Sequence, residues 1–266
     1  MNQKDFIKQY DFKFKKKFGQ NFIIDENVLN NIVSKSEVDK DTLVIEIGCG
    51  AGALTKKLIN ASKKVLGYEI DEALKPILST LENVDIIYDD FLKRNIKCDI
   101  EKYEYKKLYV IANLPYYITT PIITKIINEG IDVDRIVVMV QKEVGDRFLA
   151  KPNTKEYNSL SIFINYYFNT SKLFTVSKNV FIPKPNVDSI VMKLDKKEIV
   201  NKPINEEVFF KLVRDSFVQK RKTLKNNLKN YDFDKILNVL IKNGFNENVR
   251  AEALPIDVFI EISKTI

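Results

Sequence analysis

The chain has no histidine and no tryptophan, and only two cysteines among its 266 residues. Without histidine, a Ser–His–Asp triad, a histidine general base and a histidine-ligated metal are all excluded. Cys49 and Cys98 are too few and too far apart for a zinc site or a disulfide framework, which points to a reducing compartment. Long apolar runs are missing as well. The central stretch Ile136-Val137-Val138-Met139-Val140 falls far short of the roughly 20 residues that cross a bilayer. The opening residues, Met1 to Asp5, carry no apolar core of the kind a secretory signal needs. A cytoplasmic protein with no membrane partner and no metal is expected.

Hydrophobic residues make up 45% of the chain and charged residues 30%, enough for one sizeable domain with a smaller appendage. The net charge of +7 favours an anionic partner such as nucleic acid. Lysine outnumbers arginine 37 to 6, beside 25 asparagines, a skew that resembles AT-rich coding and makes the location of charge more telling than its total. Residues 1–20 carry six lysines against Asp5 and Asp11; residues 211–229 carry seven Lys and Arg against Asp215. Either cluster could be a solvated face or a nucleic-acid contact. In the first, Phe12, Phe14 and Phe18 alternate with lysines, which combines charge with groups that can stack on bases.

Strand-like runs alternate with helical spacing along the first 195 residues. Thr42–Ile47 is β-branched and apolar, followed by glycines and then Leu54, Leu58 and Ile59 at helical intervals. Further strands are expected at Lys64–Ile70, Val84–Tyr88, Leu108–Ala112, Arg135–Gln141, near Leu173–Val176, and at Ser189–Leu194, with a helix from about Asp71 to Leu81. Such alternation predicts βαβ units and a parallel sheet, and runs apolar on both faces suit strands covered on two sides. After Asp195-Lys196-Lys197-Glu198 and Pro203 no strand is persuasive, and residues 205–264 read as about four helices. The expected organisation is α/β, with a catalytic domain over 1–198 and a small helical domain over 199–266. No internal repeat is visible, and no exposed apolar stripe argues against a monomer.

Glycines directly after a buried strand let the chain turn tightly and let a ligand approach the backbone at the sheet's C-terminal edge. The sequence reads Glu46-x-Gly48-x-Gly50-x-Gly52, and Glu69 closes the next strand, where a carboxylate can accept both hydroxyls of a ribose. Gly48-x-Gly50-x-x-Ala53 also fits a dinucleotide fingerprint, so the loop alone divides poorly between a nicotinamide and a methyl donor. Asp90, at the end of the third strand, can meet an adenine amino group, and Glu46 precedes the glycines as in class I methyltransferases. Both favour the methyl donor. Cys49 is read as a small loop filler, since no base is at hand to activate it.

Asn113-Leu114-Pro115-Tyr116 ends the fourth strand. A tetrapeptide of this form at a strand end resembles the amino-methyltransferase motif, and the amine such a motif would serve, the exocyclic amine of adenine, is a poor nucleophile because its lone pair is delocalised into the ring. Two acceptors at its hydrogens, the Asn113 side-chain oxygen and the Leu114 carbonyl, would draw the nitrogen toward tetrahedral geometry. Pro115 stiffens that turn, and Tyr116 offers a face for a flipped base, a contact of roughly 1–3 kcal/mol. The proton becomes acidic once nitrogen is alkylated, so positioning and electrostatics suffice in a chain without histidine.

These motifs, with Lys17–Asp25, Asn113–Pro121, Val140–Val144, Phe181–Ser189 and Arg221–Leu228, resemble the rRNA adenine N6-dimethyltransferase family, and within it the small-subunit (16S) branch. The resemblance spans nearly the whole chain. It implies a class I Rossmann-like sheet with a small C-terminal helical domain, and S-adenosyl-L-methionine bound by Asn21, Ile23, Gly48, Gly50, Glu69, Asp90 and Asn113. It implies Asn113, Leu114, Pro115 and Tyr116 as the catalytic tetrapeptide, with Phe181 as a second aromatic wall, although from the residues alone Phe181 reads more readily as core. Ile23 stands where the family often has Leu, and Tyr117 where many relatives have Asn. The implied reaction dimethylates N6 of two adjacent adenosines in the 3′-terminal hairpin loop of 16S rRNA, within the 30S subunit or its precursor. Arg221, Lys222 and Lys225, read as lying near one side of a helix whose Leu224 and Leu228 face inward, would supply phosphate contacts. The competing readings are a macrolide-resistance enzyme acting on one adenosine of 23S rRNA, a noncatalytic ribosome-assembly or transcription factor, and a DNA-adenine or protein-glutamine methyltransferase.

Overall fold

The computed structural model describes Phe14, Lys15 and residues 18–266, with the backbone alone at Tyr116. Most of the basic segment 1–20 therefore lies outside the described residues. The chain divides into two compact units, Met1–Gly145 with Ser171–Asp195, and Asp146–Thr170 with Lys196–Ile266.

The first unit holds most of a seven-stranded sheet. Its strands are β2 (Thr42–Ile47), β3 (Lys64–Tyr68), β4 (Val84–Ile87), β5 (Lys107–Asn113), β6 (Arg135–Gln141), β7 (Phe168–Val176) and β9 (Ser189–Lys196), in the spatial order 4-3-2-5-6-9-7. Pairings among β4, β3, β2, β5 and β6 are parallel, and β9 closes on β6 antiparallel. The apolar runs explain this. Every residue of β2 is buried, as a central strand covered on both faces requires. From β2 the chain moves outward through β3 to β4, then returns to the other side of β2 as β5. That reversal opens a crevice at the C-terminal strand ends, where open α/β sheets bind ligands.

Two short strands escaped the sequence reading: β1 (Phe22–Ile23) pairs antiparallel with β8 (Phe181–Ile182). The helix expected over 71–81 is instead a tight turn at Glu72–Leu74 followed by one helical turn, Lys75–Leu78. Pro76 has no N–H to donate back to Glu72, so a helix begun at Asp71 is interrupted there, and Pro76 sits instead in the first turn of the short helix, where a missing N–H costs nothing.

The second unit is helical, with helices at Ser159–Tyr167, Glu206–Ser216, Leu224–Asn227, Phe233–Lys242 and Ile256–Ser263. Its core joins Tyr157, Ile162 and Tyr166 to Phe209, Leu212, Phe259 and their neighbours. The C-terminal residues begin at Lys196, but Asp146–Thr170 groups with them rather than with the sheet. The Tyr157 hydroxyl donates to the Leu254 carbonyl at 3.0 Å, and that of Tyr166 to Glu206 at 2.9 Å, satisfying two buried phenols.

Candidate active site

A cavity of about 290 Å³ opens at the C-terminal ends of β2 to β5. Gly48 begins its floor with φ +77°, and its N–H donates to the Tyr68 carbonyl at 2.8 Å. A side chain there would meet nothing nearer than the Asn113 carbonyl at 3.9 Å, so the glycine leaves room as well as turning the chain. Gly50, at φ +56°, instead backs tightly against the Phe22 ring.

Glu69 follows β3 and is 5% exposed. Its Oε2 accepts from the Gly50 N–H and its Oε1 from the Asp71 N–H, both at 2.8 Å. Burial raises its pKa against those bonds. Each oxygen keeps a lone pair, so the carboxylate can still accept two hydroxyls. Asp90 follows β4; its Oδ1 accepts from the Leu92 N–H at 3.0 Å, which fixes the turn beneath it. Glu46, at the end of β2, is 1% exposed, and burial first, then the nearby Glu69 charge, push its pKa up to about 8. Its Oε2 has no partner among the described residues. It is therefore a neutral acid at the cavity wall near pH 7.

Asn113 ends β5. Its Nδ2 donates to the Asn21 carbonyl at 3.0 Å, while the Asn21 Nδ2 donates to the Gly19 carbonyl at 3.0 Å. Only the NH₂ of an amide can donate, so the Asn113 oxygen is an acceptor, and it has no partner among the described residues. Pro115 leads into a tight turn, Tyr116–Ile118, closed by the Ile118 N–H on the Pro115 carbonyl. The side chain of Tyr116 lies outside the described residues.

The cavity brings together Asn21, Ile23, Gly48, Gly50, Glu69, Asp90, Asn113, Leu114 and Pro115. It does not include Phe181, which is 3% exposed and packs with Ile23, Leu29 and Val191 in the core. The expectation of an aromatic wall there meets a core side chain: pairing of Phe181 with Ile23 across β1 and β8 turns it inward. Arg221, Lys222 and Lys225 belong to the second unit and are exposed. Arg221 and Lys222 sit in the turn before Thr223, the N-cap of the short helix Leu224–Asn227, and not on one helical face as read from spacing.

Several lining residues were missed: Gln20, Tyr68, Ile70, Phe91 and Leu92. Ile70, 46% exposed beside Glu69, offers an apolar edge that a strand-end position after a carboxylate could have signalled. Asp71 was also missed. It is buried and accepts from Lys15 Nζ at 2.6 Å and Gln20 Nε2 at 2.8 Å, tying both to the turn after Glu69. Among the described residues there is no metal-binding cluster, and no helix is long and apolar enough to cross a membrane.

Residues 11–266 match the family model for ribosomal RNA adenine dimethylase. Ribosomal RNA small subunit methyltransferase A of Staphylococcus aureus (strain JH9) is 47% identical over 269 residues, covering 96% of this chain and 91% of the relative. A crystallised dimethyladenosine transferase from Plasmodium falciparum is 27% identical with a TM-score of 0.76, covering 91% of this chain and 95% of its own. The 23S rRNA methyltransferase ErmE shares the fold at 21% identity and a TM-score of 0.69, over 92% of this chain and 98% of its own. With a glycine floor, two strand-end carboxylates and the Asn113 amide around one cavity, and with a match that spans nearly its whole length, the chain belongs to the ribosomal RNA adenine dimethylase family.

Proposed function

We propose that this chain dimethylates N6 of two adjacent adenosines in the 3′-terminal hairpin loop of 16S rRNA, acting on the 30S subunit or its precursor with S-adenosylmethionine as donor. The observation that carries the reading is the acceptor oxygen of Asn113, whose NH₂ donates to the Asn21 carbonyl, in the same cavity as Glu69 and Asp90. The match to a small-subunit enzyme at 47% identity supports the choice of RNA.

The residues present suit the donor. Glu69 has two lone pairs left for ribose hydroxyls, and Asp90 a carboxylate for an adenine amine, with Ile70 and Leu92 as apolar edges for the ring. Gly48 leaves open space beside Asn113, where a bulkier residue would intrude. When bound, S-adenosylmethionine supplies an electrophilic methyl group on a positively charged sulfur. The protein's part is to hold the target amine. Asn113 Oδ1 and the Leu114 carbonyl accept its two hydrogens and localise the lone pair on nitrogen. After the first transfer one hydrogen remains, and one acceptor suffices to orient it. The released proton needs no dedicated base, because the alkylated nitrogen is acidic. Catalysis then rests on orientation and fixed dipoles, effects large enough to supply the rate.

Residues 1–198 would carry this chemistry and the helical C-terminal residues the RNA grip, through Arg221, Lys222 and Lys225. A monomer is sufficient, since the cavity that gathers Glu69, Asp90, Asn113 and Leu114 is formed by one chain. The test is to incubate the protein and labelled donor with under-methylated small subunits, large-subunit RNA and naked DNA, then map the label. Dimethylation confined to two neighbouring adenosines of 16S rRNA is expected. Label on 23S rRNA or on DNA alone, or no label, would overturn the reading.

A further inference from the structure

Behind the cavity, a layer of side chains built on Arg94 and Asp99, which do not line it, joins the two strand ends that carry Glu69 and Asp90. Tyr68, the last residue of β3, is 1% exposed, and its hydroxyl donates to Asp99 Oδ2 at 3.0 Å. Arg94 grips the same carboxylate with both edges of its fork, Nε to Oδ2 at 3.1 Å and Nη2 to Oδ1 at 2.5 Å. Its third nitrogen, Nη1, lies 3.6 Å from Asp89 Oδ2. Asp89 in turn accepts from the Asp90 N–H at 2.7 Å. The rings complete the layer, with Tyr68 and Phe91 edge-on at 5.0 Å between centroids.

We propose that Arg94, locked onto Asp99, is a positioning residue that sets the spacing between Glu69 and Asp90 and thereby the affinity for the nucleoside half of the cofactor. The inference rests on reading the cavity as an S-adenosylmethionine site. Arg94 does not line the cavity, but Tyr68, Asp89, Asp90 and Phe91 all do. One guanidinium thus reaches the sugar-side strand end through Asp99 and Tyr68, and the base-side turn through Asp89. A lysine cannot do the same. Its single ammonium cannot match both carboxylate oxygens in a plane while also facing a second acid. In a chain with 37 lysines and 6 arginines, the fork stands where its geometry is used. The burial of Asp99 would raise its carboxyl pKa, yet the bonds from Arg94 and Tyr68 outweigh that and hold it below the usual range. The layer is therefore charged and tightly bonded near neutral pH. The brace ends on Tyr68 and Asp89, the chain neighbours of the two carboxylates that face the cavity.

The test measures binding of S-adenosylhomocysteine by calorimetry to Arg94→Lys, Arg94→Ala, Tyr68→Phe and Asp90→Ala, and to the double variant Arg94→Ala/Asp90→Ala, with melting temperatures and steady-state rates alongside. Arg94→Ala should weaken binding about tenfold, and Arg94→Lys should recover only part of the loss. For Arg94→Lys, KM for the methyl donor should rise while kcat at saturating donor and KM for RNA stay within about twofold. The double variant should bind no more than about twofold worse than Asp90→Ala, because Arg94 acts through that turn. If Arg94→Ala fails to fold, Arg94→Lys and Tyr68→Phe carry the same comparison. Binding unchanged despite a lower melting temperature would overturn the proposal, as would fully additive losses in the double variant. A wild-type protein that binds no S-adenosylhomocysteine would instead overturn the cofactor reading, and this proposal with it.

Discussion

The NH₂ of Asn113 is committed to the Asn21 carbonyl, which fixes the way its acceptor oxygen is turned. Replacing Asn113 by Ala removes the acceptor, and single-turnover methyl transfer should fall at least about 100-fold while RNA affinity holds. Asn113→Asp is the sharper case. A carboxylate cannot donate to Asn21, and two facing acceptors repel, so the strap at residues 18–23 should loosen and donor affinity fall as well. Full turnover in Asn113→Ala would defeat the proposed amine activation. Glu46 makes a different prediction, set by its environment. Its folded pKa of about 8 lies above the ordinary carboxylate value near 4.3. Between those values the folded chain keeps a proton that the unfolded chain releases, so this group's stabilising contribution is complete below about pH 4.3 and is lost as pH rises through about 8. Glu46→Gln does not titrate. Its melting temperature relative to wild type, measured without cofactor, should climb by several degrees from pH 5 to pH 8, a change on the order of a few kcal/mol. A constant gap across that range would mean that Glu46 is ionised in the fold.

The strap at residues 18–23 is built from weakly patterned sequence. Phe14 and Phe22 meet edge-on at 5.2 Å, and Lys15 and Gln20 both bond Asp71, whose carboxyl stays below its usual range because those bonds outweigh burial. Asp71 also caps the turn that follows it, accepting from the Ala73 N–H at 3.2 Å. Asparagine caps nearly as well as aspartate, so Asp71→Asn removes the charge on the latch and spares the turn. Hydrogen exchange at Asn21–Ile23 should quicken, and cofactor should dissociate about tenfold faster. Unchanged exchange would show that the strap is held by its rings alone. Elements like this explain what the sequence could and could not reveal. Thr42–Ile47 and Arg135–Gln141 match their expected bounds because buried parallel strands are continuous apolar runs. β1 and β8, two residues each, have no period to detect. Asp146–Thr170 joins the C-terminal core through contacts about 50 to 100 residues distant in sequence, which local spacing does not encode. The carboxylates and Asn113 were legible because each stands at a strand end, where the chain must turn toward the crevice. Phe181 reads as core from the residues alone and packs there, while the pocket-wall reading comes only from the resemblance.

At the scale of the whole molecule, a net charge of +7 provides attraction to RNA without deciding where it acts. The second unit carries a compact group of cations, and they are not equivalent. Lys225 is paired with Glu247 at 3.1 Å and lies over the Phe233 ring, so part of its charge is already compensated. Arg221 and Lys222 are exposed, and neither side chain has a partner among the described residues. They can release counterions from a phosphate backbone without first breaking a bond. Neutralising all three to glutamine should weaken binding to small subunits and lower the slope of log affinity against log salt by about two rather than three. Arg221→Gln and Lys222→Gln should each take close to one unit, and Lys225→Gln clearly less. Titrations at several salt concentrations measure those slopes directly. Equal losses from all three would mean that Glu247 releases Lys225 on binding, and an unchanged slope would leave the cluster as a solvated face with the RNA held elsewhere.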